Sequence, residues 1–308
     1  MLLVSGLVAD VDWVTRLGGA GAFLRGHRTA THSLIGTGLT VVAVAAAACL
    51  LGRKYPKFSV RILPALGISA AGAGAHLVLD ILNGYGVKLL WPFRQKRSAG
   101  DVVPGVDWWI LFFLVAALLV PELFRMVHEE IGVRSKGRGR ERGAVAGLVL
   151  CVLWIGGRGL AHERAVALLD SRDYRGQAPL VVAAFPLPWN PLVWSGVVET
   201  DSAIIHLDVP LVPGRAFDPE ASAVHFKLQP SGALTNAVAS PAAGEFLNFA
   251  RFPLASMQRE GDGFVVQLTD MAFAAQQPTH PGFLAMIHEN EQNEVTSQQI
   301  EFDSAGGQ

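Results

Sequence analysis

The chain has only two cysteines, Cys49 and Cys151, and both lie inside long apolar runs. They have neither metal-ligand spacing nor the pattern of a disulfide framework, so they read as small residues facing lipid or other helices. There is no Gly-x-Ser-x-Gly elbow and no phosphate-binding glycine loop, so neither a serine hydrolase of that type nor a P-loop enzyme is indicated. Charge of one sign is also missing. With 25 Lys and Arg against 26 Asp and Glu, the formal net charge is −1. Nothing in that balance draws the chain to nucleic acid or to an anionic surface. No internal repeat is visible. The opening apolar run, residues 1–9, has no basic start and no small-residue cleavage pattern, as a signal peptide would. It is too short to span a bilayer. It reads as a half-helix, or as the end of a helix that begins upstream.

What the chain has in abundance is unevenly distributed hydrophobicity. Half of its 308 residues are hydrophobic, and the mean hydropathy is +0.35. Four runs, 33–52, 62–82, 106–124 and 143–160, are long and apolar enough to cross a hydrocarbon core, which takes roughly 20 helical residues. Small residues in the second (Gly67, Ala70, Gly72, Gly74) would permit close helix packing. The connection after the first run carries Arg53, Lys54, Lys57 and Arg61, and the connection before the last carries Arg125, Arg134, Lys136, Arg138, Arg140 and Arg142. An excess of Lys and Arg in short loops marks the cytoplasmic side. Residues 9–32, 83–105 and everything after His162 then fall on the other side, despite Arg94, Lys96 and Arg97 there.

From about residue 161 onward the pattern changes. Short strand-like runs at 181–185, 193–198, 203–209 and 264–268 are separated by Pro, Gly, Asn and Asp, and Gly261-Asp262-Gly263 is a good hairpin turn. The polar, Gln-rich tail from Glu289 is expected to fray. The expected architecture is therefore an α-helical membrane domain over 1–160, with four full spans plus an N-terminal half-helix. A smaller β-rich soluble domain over 161–308, outside the cytoplasm, follows it.

Three local patterns are suited to chemistry. Asp10-Val11-Asp12 follows the opening run, and His27, Arg28, His32 and Ser33 stand at the entrance of the first span. His76 and Asp80 lie near the end of the second. Being four apart, His76 and Asp80 share one helix face, as paired metal ligands on helices do. Ionisable groups inside a span are costly, and they usually face a bundle interior or a wet cavity. The topology argued from Lys and Arg brings Asp10, Asp12, His27, His32, His76 and Asp80 to one membrane face. Imidazole plus carboxylate donors suit zinc, iron or manganese, and this set would hold one or two divalent ions, zinc foremost. Such an ion lowers the pKa of a bound water. Arg28 would hold an anionic group, and a spare carboxylate among Asp10, Asp12 and Asp80 would act as general base. Asp12 and Arg28 are thus the candidate catalytic residues.

Plainer readings exist for each. Asp-x-Asp is common, His27 and His32 could be interfacial residues before a helix capped by Ser33, and Trp108 and Trp109 beside Asp107 form an interfacial belt from which Asp107 could join the site. His128-Glu129-Glu130 is not a His-Glu-x-x-His motif. His206, His225, His280 and His288 are scattered and read as surface residues.

At these residues the chain resembles the YdjM-like, LexA-regulated, membrane-bound metal-dependent hydrolases of bacteria. The likeness rests on Asp10 and Asp12, on His27-Arg28 with Thr31-His32-Ser33-Leu34, and on His76-Leu77-Val78-Leu79-Asp80. It continues through Asn83-Gly84-Tyr85-Gly86-Val87 to Leu89-Leu90-Trp91-Pro92-Phe93, and covers roughly the first 130 residues. It implies a multi-pass protein of the bacterial inner membrane with metal-dependent hydrolase activity. It also implies a distant link to zinc-dependent phospholipase C and nuclease folds, which favours a phosphoester. Members begin with a helix carrying an early Thr-His, and this chain starts too late to have it; either the start is misplaced, or one ligand and half a helix are missing.

The expected function is hydrolysis of a phosphoester or another ester by metal-activated water, on a substrate that is lipid-linked and enters from the bilayer. Membrane lipids are the expected partners, with no nucleic acid. The competing readings are a non-catalytic membrane protein with a structural metal or an ion relay, and an anchored β-rich domain that docks an unknown envelope partner.

Overall fold

Ser33 accepts a hydrogen bond from the Gly36 N–H at 3.0 Å through its side-chain oxygen, and α3 (Leu34–Lys54) begins there. In the computed structural model, which describes residues 1–130, 139–276 and 282–302, α3 is one of four long helices. The others are α4 (Ile62–Leu82), α5 (Trp108–Glu130) and α6 (Gly139–Asp170). All four are long and apolar enough to cross a membrane. Before them come α1 (Leu2–Leu7), a 3-10 stretch (Val8–Gly18) and α2 (Gly19–Gly26). The opening run is thus a short helix, as its length suggested.

The helices form two groups. α4 packs on both α1 and α3, and α5 pairs with α6, whereas α4 and α5 barely touch. One stripe of α4 faces inward: Ala65, Ser69, Gly72, Ala73, Leu77 and Asp80 are buried, at the i, i+3, i+4 spacing of a helix face. Of the small residues noted in this span, only Gly72 makes a close approach, against the Leu2 carbonyl and the Ser5 hydroxyl. Gly67 and Gly74 have nothing within 4 Å of where a Cβ would sit, and Ala70 is exposed. Gly72→Val is therefore expected to cost about 1–3 kcal/mol through overpacking, and Gly67→Val almost nothing. Thermal unfolding of the purified variants checks this; equal melting temperatures for the two would contradict the α1–α4 packing.

α6 runs past residue 160 and supports the first sheet. Ala165 and Leu169 are fully buried against it, with Trp194, Ile205 and Val209. That sheet is an antiparallel meander of β1 (Val181–Pro186), β2 (Val193–Glu199), β3 (Ala203–Pro210) and β4 (Ser222–Phe226). β2 is buried nearly throughout because α6 covers one side of the sheet and the second half of the domain covers the other. The second sheet is another meander, β5 (Pro253–Glu260), β6 (Gly263–Asp270), β7 (Phe283–Glu289) and β8 (Val295–Phe302). α7 (Gly232–Val238) and α8 (Pro241–Leu247) precede it, and α9 (Met271–Gln276) follows β6. The expected hairpin joins β5 to β6, with Gly261 at φ 58°.

The expected fraying from Glu289 is overturned as far as Phe302, the rest of the tail lying outside the described residues. β8 pairs with β7, and Val295, Ile300 and Phe302 pack against the core that Phe23, Phe246 and Phe283 form. An edge strand needs only a few apolar side chains on its inner face, and the remaining Ser, Gln and Glu residues face water. β4, β5 and β7, and all three short helices, were also not foreseen. The same core includes Ala20, Phe23 and Leu24 of α2, so the second sheet is docked directly on the N-terminal region.

Candidate metal centre

The 3-10 stretch, the loop after α2 and the C-terminal turn of α4 meet at one end of the helices. Four side-chain atoms converge there. His32 Nε2 and His76 Nε2 are 3.1 Å apart, and Asp10 Oδ1 is 3.7 Å from the first and 3.6 Å from the second. Asp80 Oδ2 is 3.1 Å from His32 Nε2 and 3.3 Å from His76 Nε2. A tetrahedral zinc site with metal–donor distances near 2.0–2.1 Å has donors about 3.3–3.4 Å apart. The five spacings among these atoms that involve a histidine, 3.1 to 3.7 Å, bracket that edge length. Asp10, His32 and His76 also form a compact trio of possible metal ligands.

Two further features fit the residues to a cation. Asp80 Oδ2 is buried and accepts no hydrogen bond of proper geometry. Two imidazole nitrogens facing each other at 3.1 Å present two lone pairs to one point unless a proton or a cation lies between them. His32 itself is fully buried.

Asp12 and His27 stand behind this cluster. Asp12 Oδ1 lies 2.9 Å from His27 Nδ1, and Oδ2 accepts from the Arg28 backbone N–H at 2.8 Å and the Thr31 hydroxyl at 2.7 Å. His32 Nδ1 is 3.1 Å from the same oxygen. A carboxylate on the far nitrogen of a ligating histidine fixes its tautomer and raises its basicity. Burial opposes charge on His32, but the Asp12 and Asp80 carboxylates beside it outweigh that, and its pKa is pushed up to about 9. Burial likewise works against the Asp12 carboxylate, yet His27, His32 and Thr31 hold it far below the ordinary range. Asp12→Asn is expected to weaken zinc binding roughly 10–100-fold with folding retained, as titration calorimetry would measure; an unchanged affinity would remove Asp12 from the site.

Arg28 adopts φ 54°, an uncommon conformation for a residue with a side chain. Its Nη2 is 2.7 Å from Asp80 Oδ1, its guanidinium lies over the Tyr85 ring, and its Nε and Nη1 are buried without a hydrogen-bond partner. It therefore has donors free for an anion beside the converging ligands.

All six candidate ligands and Arg28 come together here, in two tiers. Asp107 does not join: it caps α5 through the Trp109 and Ile110 N–H groups and receives the Trp154 indole. His206 is not a surface residue, being half-buried with Nε2 2.7 Å from Ser195 Oγ. His225 and His288 are half-buried, and His280 lies outside the described residues. The second sheet contributes what the motifs could not. Beside Arg28 is a cavity of about 270 Å³, lined by Trp13, Phe23 and Tyr85 from the N-terminal region and by Phe273, Phe283 and Phe302 from the tail. Tyr85 was visible within Asn83-Gly84-Tyr85-Gly86, but nothing in the sequence marked the three phenylalanines.

Comparison with known proteins agrees with the motif set and extends it. The sequence pattern described as YdjM inner membrane protein matches residues 1–165, through all four spans. Neither the curated proteins nor the solved structures yield a match.

Proposed function

Because the chain belongs to the YdjM inner membrane protein family, we propose that its Asp/His centre holds a divalent metal ion and hydrolyses an ester, a phosphoester foremost. The observation that carries this reading is the convergence of His32 Nε2, His76 Nε2, Asp10 Oδ1 and the buried, unbonded Asp80 Oδ2 at zinc-like spacing. Zinc suits the donor set, and when bound it would make water nucleophilic near neutral pH and polarise the ester.

The protein's own groups divide the remaining work. Asp12 is a positioning residue, because both its oxygens are engaged in orienting His27, His32 and the Arg28 backbone. Arg28 neutralises and holds the anionic part of the substrate. Asp10, whose side chain is 38 % exposed, is the carboxylate of the centre best able to exchange a proton with solvent. The Lys/Arg asymmetry argues that the centre faces away from the cytoplasm, together with the β-rich region packed beside it.

Purified full-length protein is expected to contain about one equivalent of zinc and to hydrolyse a phosphomonoester or a phospholipid, with activity lost on chelation and regained with metal. Tightly held metal with no turnover on any ester would favour the structural or ion-relay alternative. Absence of metal binding would end the reading.

A further inference from the structure

Two cavities share Arg28, and they differ in what they open onto. The first is the aromatic cavity between the N-terminal region and the tail, which also includes Arg16, Asn83 and Gln276. Tyr85 forms part of its wall, with the Arg28 and Arg97 guanidinium groups 5.1 Å and 5.0 Å from its ring centre and its own hydroxyl buried and unpaired. Burial pushes the Tyr85 phenol up to about 12, so it stays protonated and able to donate. The second cavity, about 200 Å³, lies in the cleft where α4 and α5 barely touch. Arg28, Asp80 and Asn83 form its polar end, and Leu79, Leu111 and Leu114, all on exposed faces of spanning helices, form its apolar end. Arg28, Asn83 and Gly105 line both cavities, which therefore adjoin beside the metal centre.

A free phosphate would have no use for the leucine cleft, and a neutral lipid would have none for the buried, unpaired Nε and Nη1 of Arg28. We propose that the substrate is a lipid phosphate. Its phosphate sits at Arg28, its chains lie in the cleft between α4 and α5, and its head group enters the aromatic cavity. The tail is then a substrate-recognition element, since Phe273, Phe283 and Phe302 wall the head-group side. A head group bearing a sugar-like ring fits best, because the apolar C–H face of such a ring can lie against the aromatic walls. This rests on the hydrolase reading of the adjacent centre and names its substrate class.

The experiment uses full-length protein in phosphatidylcholine nanodiscs doped with a phosphatidylinositol carrying a diazirine in one acyl chain. Matched phosphatidic acid and diacylglycerol probes run in parallel. The phosphate-bearing probes are expected to label peptides containing Leu79, Leu111 and Leu114 several-fold more than diacylglycerol does. Arg28→Gln should cut that labelling about tenfold or more, the effect of losing charge-assisted hydrogen bonds, and Arg28→Lys should restore part of it. Phosphatidylinositol is expected to label more than phosphatidic acid, and Trp13→Ala, at a half-exposed position, should erase that advantage. Equal labelling by diacylglycerol, or labelling of the cleft that ignores Arg28→Gln in folded protein, overturns the proposal. Should Arg28→Gln fail to fold, the comparison of phosphate and diacylglycerol probes on the unaltered protein decides. Metal content and cleavage of p-nitrophenyl phosphate are read on the same samples. Zinc and turnover without phosphate-selective labelling would sink the lipid site alone; selective labelling without zinc would sink the hydrolase reading alone.

Discussion

Replacing His76 and Asp80 together by alanine is expected to abolish divalent-metal binding by the full-length protein while leaving its helices intact. Structural zinc sites with four protein ligands are worth about 10–16 kcal/mol, or roughly 3 kcal/mol per ligand. Losing two ligands should therefore weaken binding on the order of 10⁴-fold. The helix itself should survive, because alanine is the best helix former and both positions lie in the last two turns of α4. The rest of its inward stripe, Ala65, Ser69, Gly72, Ala73 and Leu77, is untouched. Metal content by mass spectrometry, alongside far-ultraviolet circular dichroism, gives the answer. A double variant that keeps its full complement of metal and its helicity would show that the converging atoms are not the site.

The second large effect concerns the link between the two parts of the chain. Arg251, just before β5, forms a bidentate ion pair with Asp101 in the loop between α4 and α5, at 2.6 Å and 2.8 Å, and also reaches the Gly84 carbonyl at 3.2 Å. Its guanidinium lies over the Phe185 ring. Asp101 is buried, and removing its partner strands a carboxylate away from water. Arg251→Ala is accordingly expected to destabilise the protein by roughly 2–5 kcal/mol and to raise the protease sensitivity of the β-rich region. Asp101→Asn, which tolerates the left-handed backbone there (φ 54°), should soften the effect when combined with Arg251→Ala, because the stranded charge is gone. A thermal shift for Arg251→Ala indistinguishable from the ordinary surface range of about 0.5 kcal/mol would mean that the contact does not hold the two parts together.

The spans were legible because the bilayer imposes a length and a composition that few other environments select. α4 matches its expected limits, and the three other helices overlap theirs and extend beyond them. The ligand set was legible for a different reason. Asp10, Asp12, His27, His32, His76 and Asp80 are polar residues in or beside segments where polarity is penalised, so their presence needed an explanation. Helical spacing alone linked His76 to Asp80. The capping of α3 by Ser33 and the turn at Gly261 could be read from short-range chemistry as well.

The division of those six residues into converging ligands and supporting groups was not legible. Asp10 and Asp12 are two residues apart, and only the path of the 3-10 stretch points one at His76 and the other at His27. Nor could β8 be recognised, because an edge strand with one wet face does not look apolar. The aromatic cavity and the Arg251–Asp101 link join residues about 150 or more positions apart, and no local pattern encodes such a pairing. The sequence alone therefore determined a membrane protein with Asp and His gathered toward one end of its helices, since hydropathy, period and charge bias are local properties. Which of those groups meet, and that the tail walls the space beside them, was decided only by the tertiary structure, because those contacts arise when separate elements bury their apolar faces against one another.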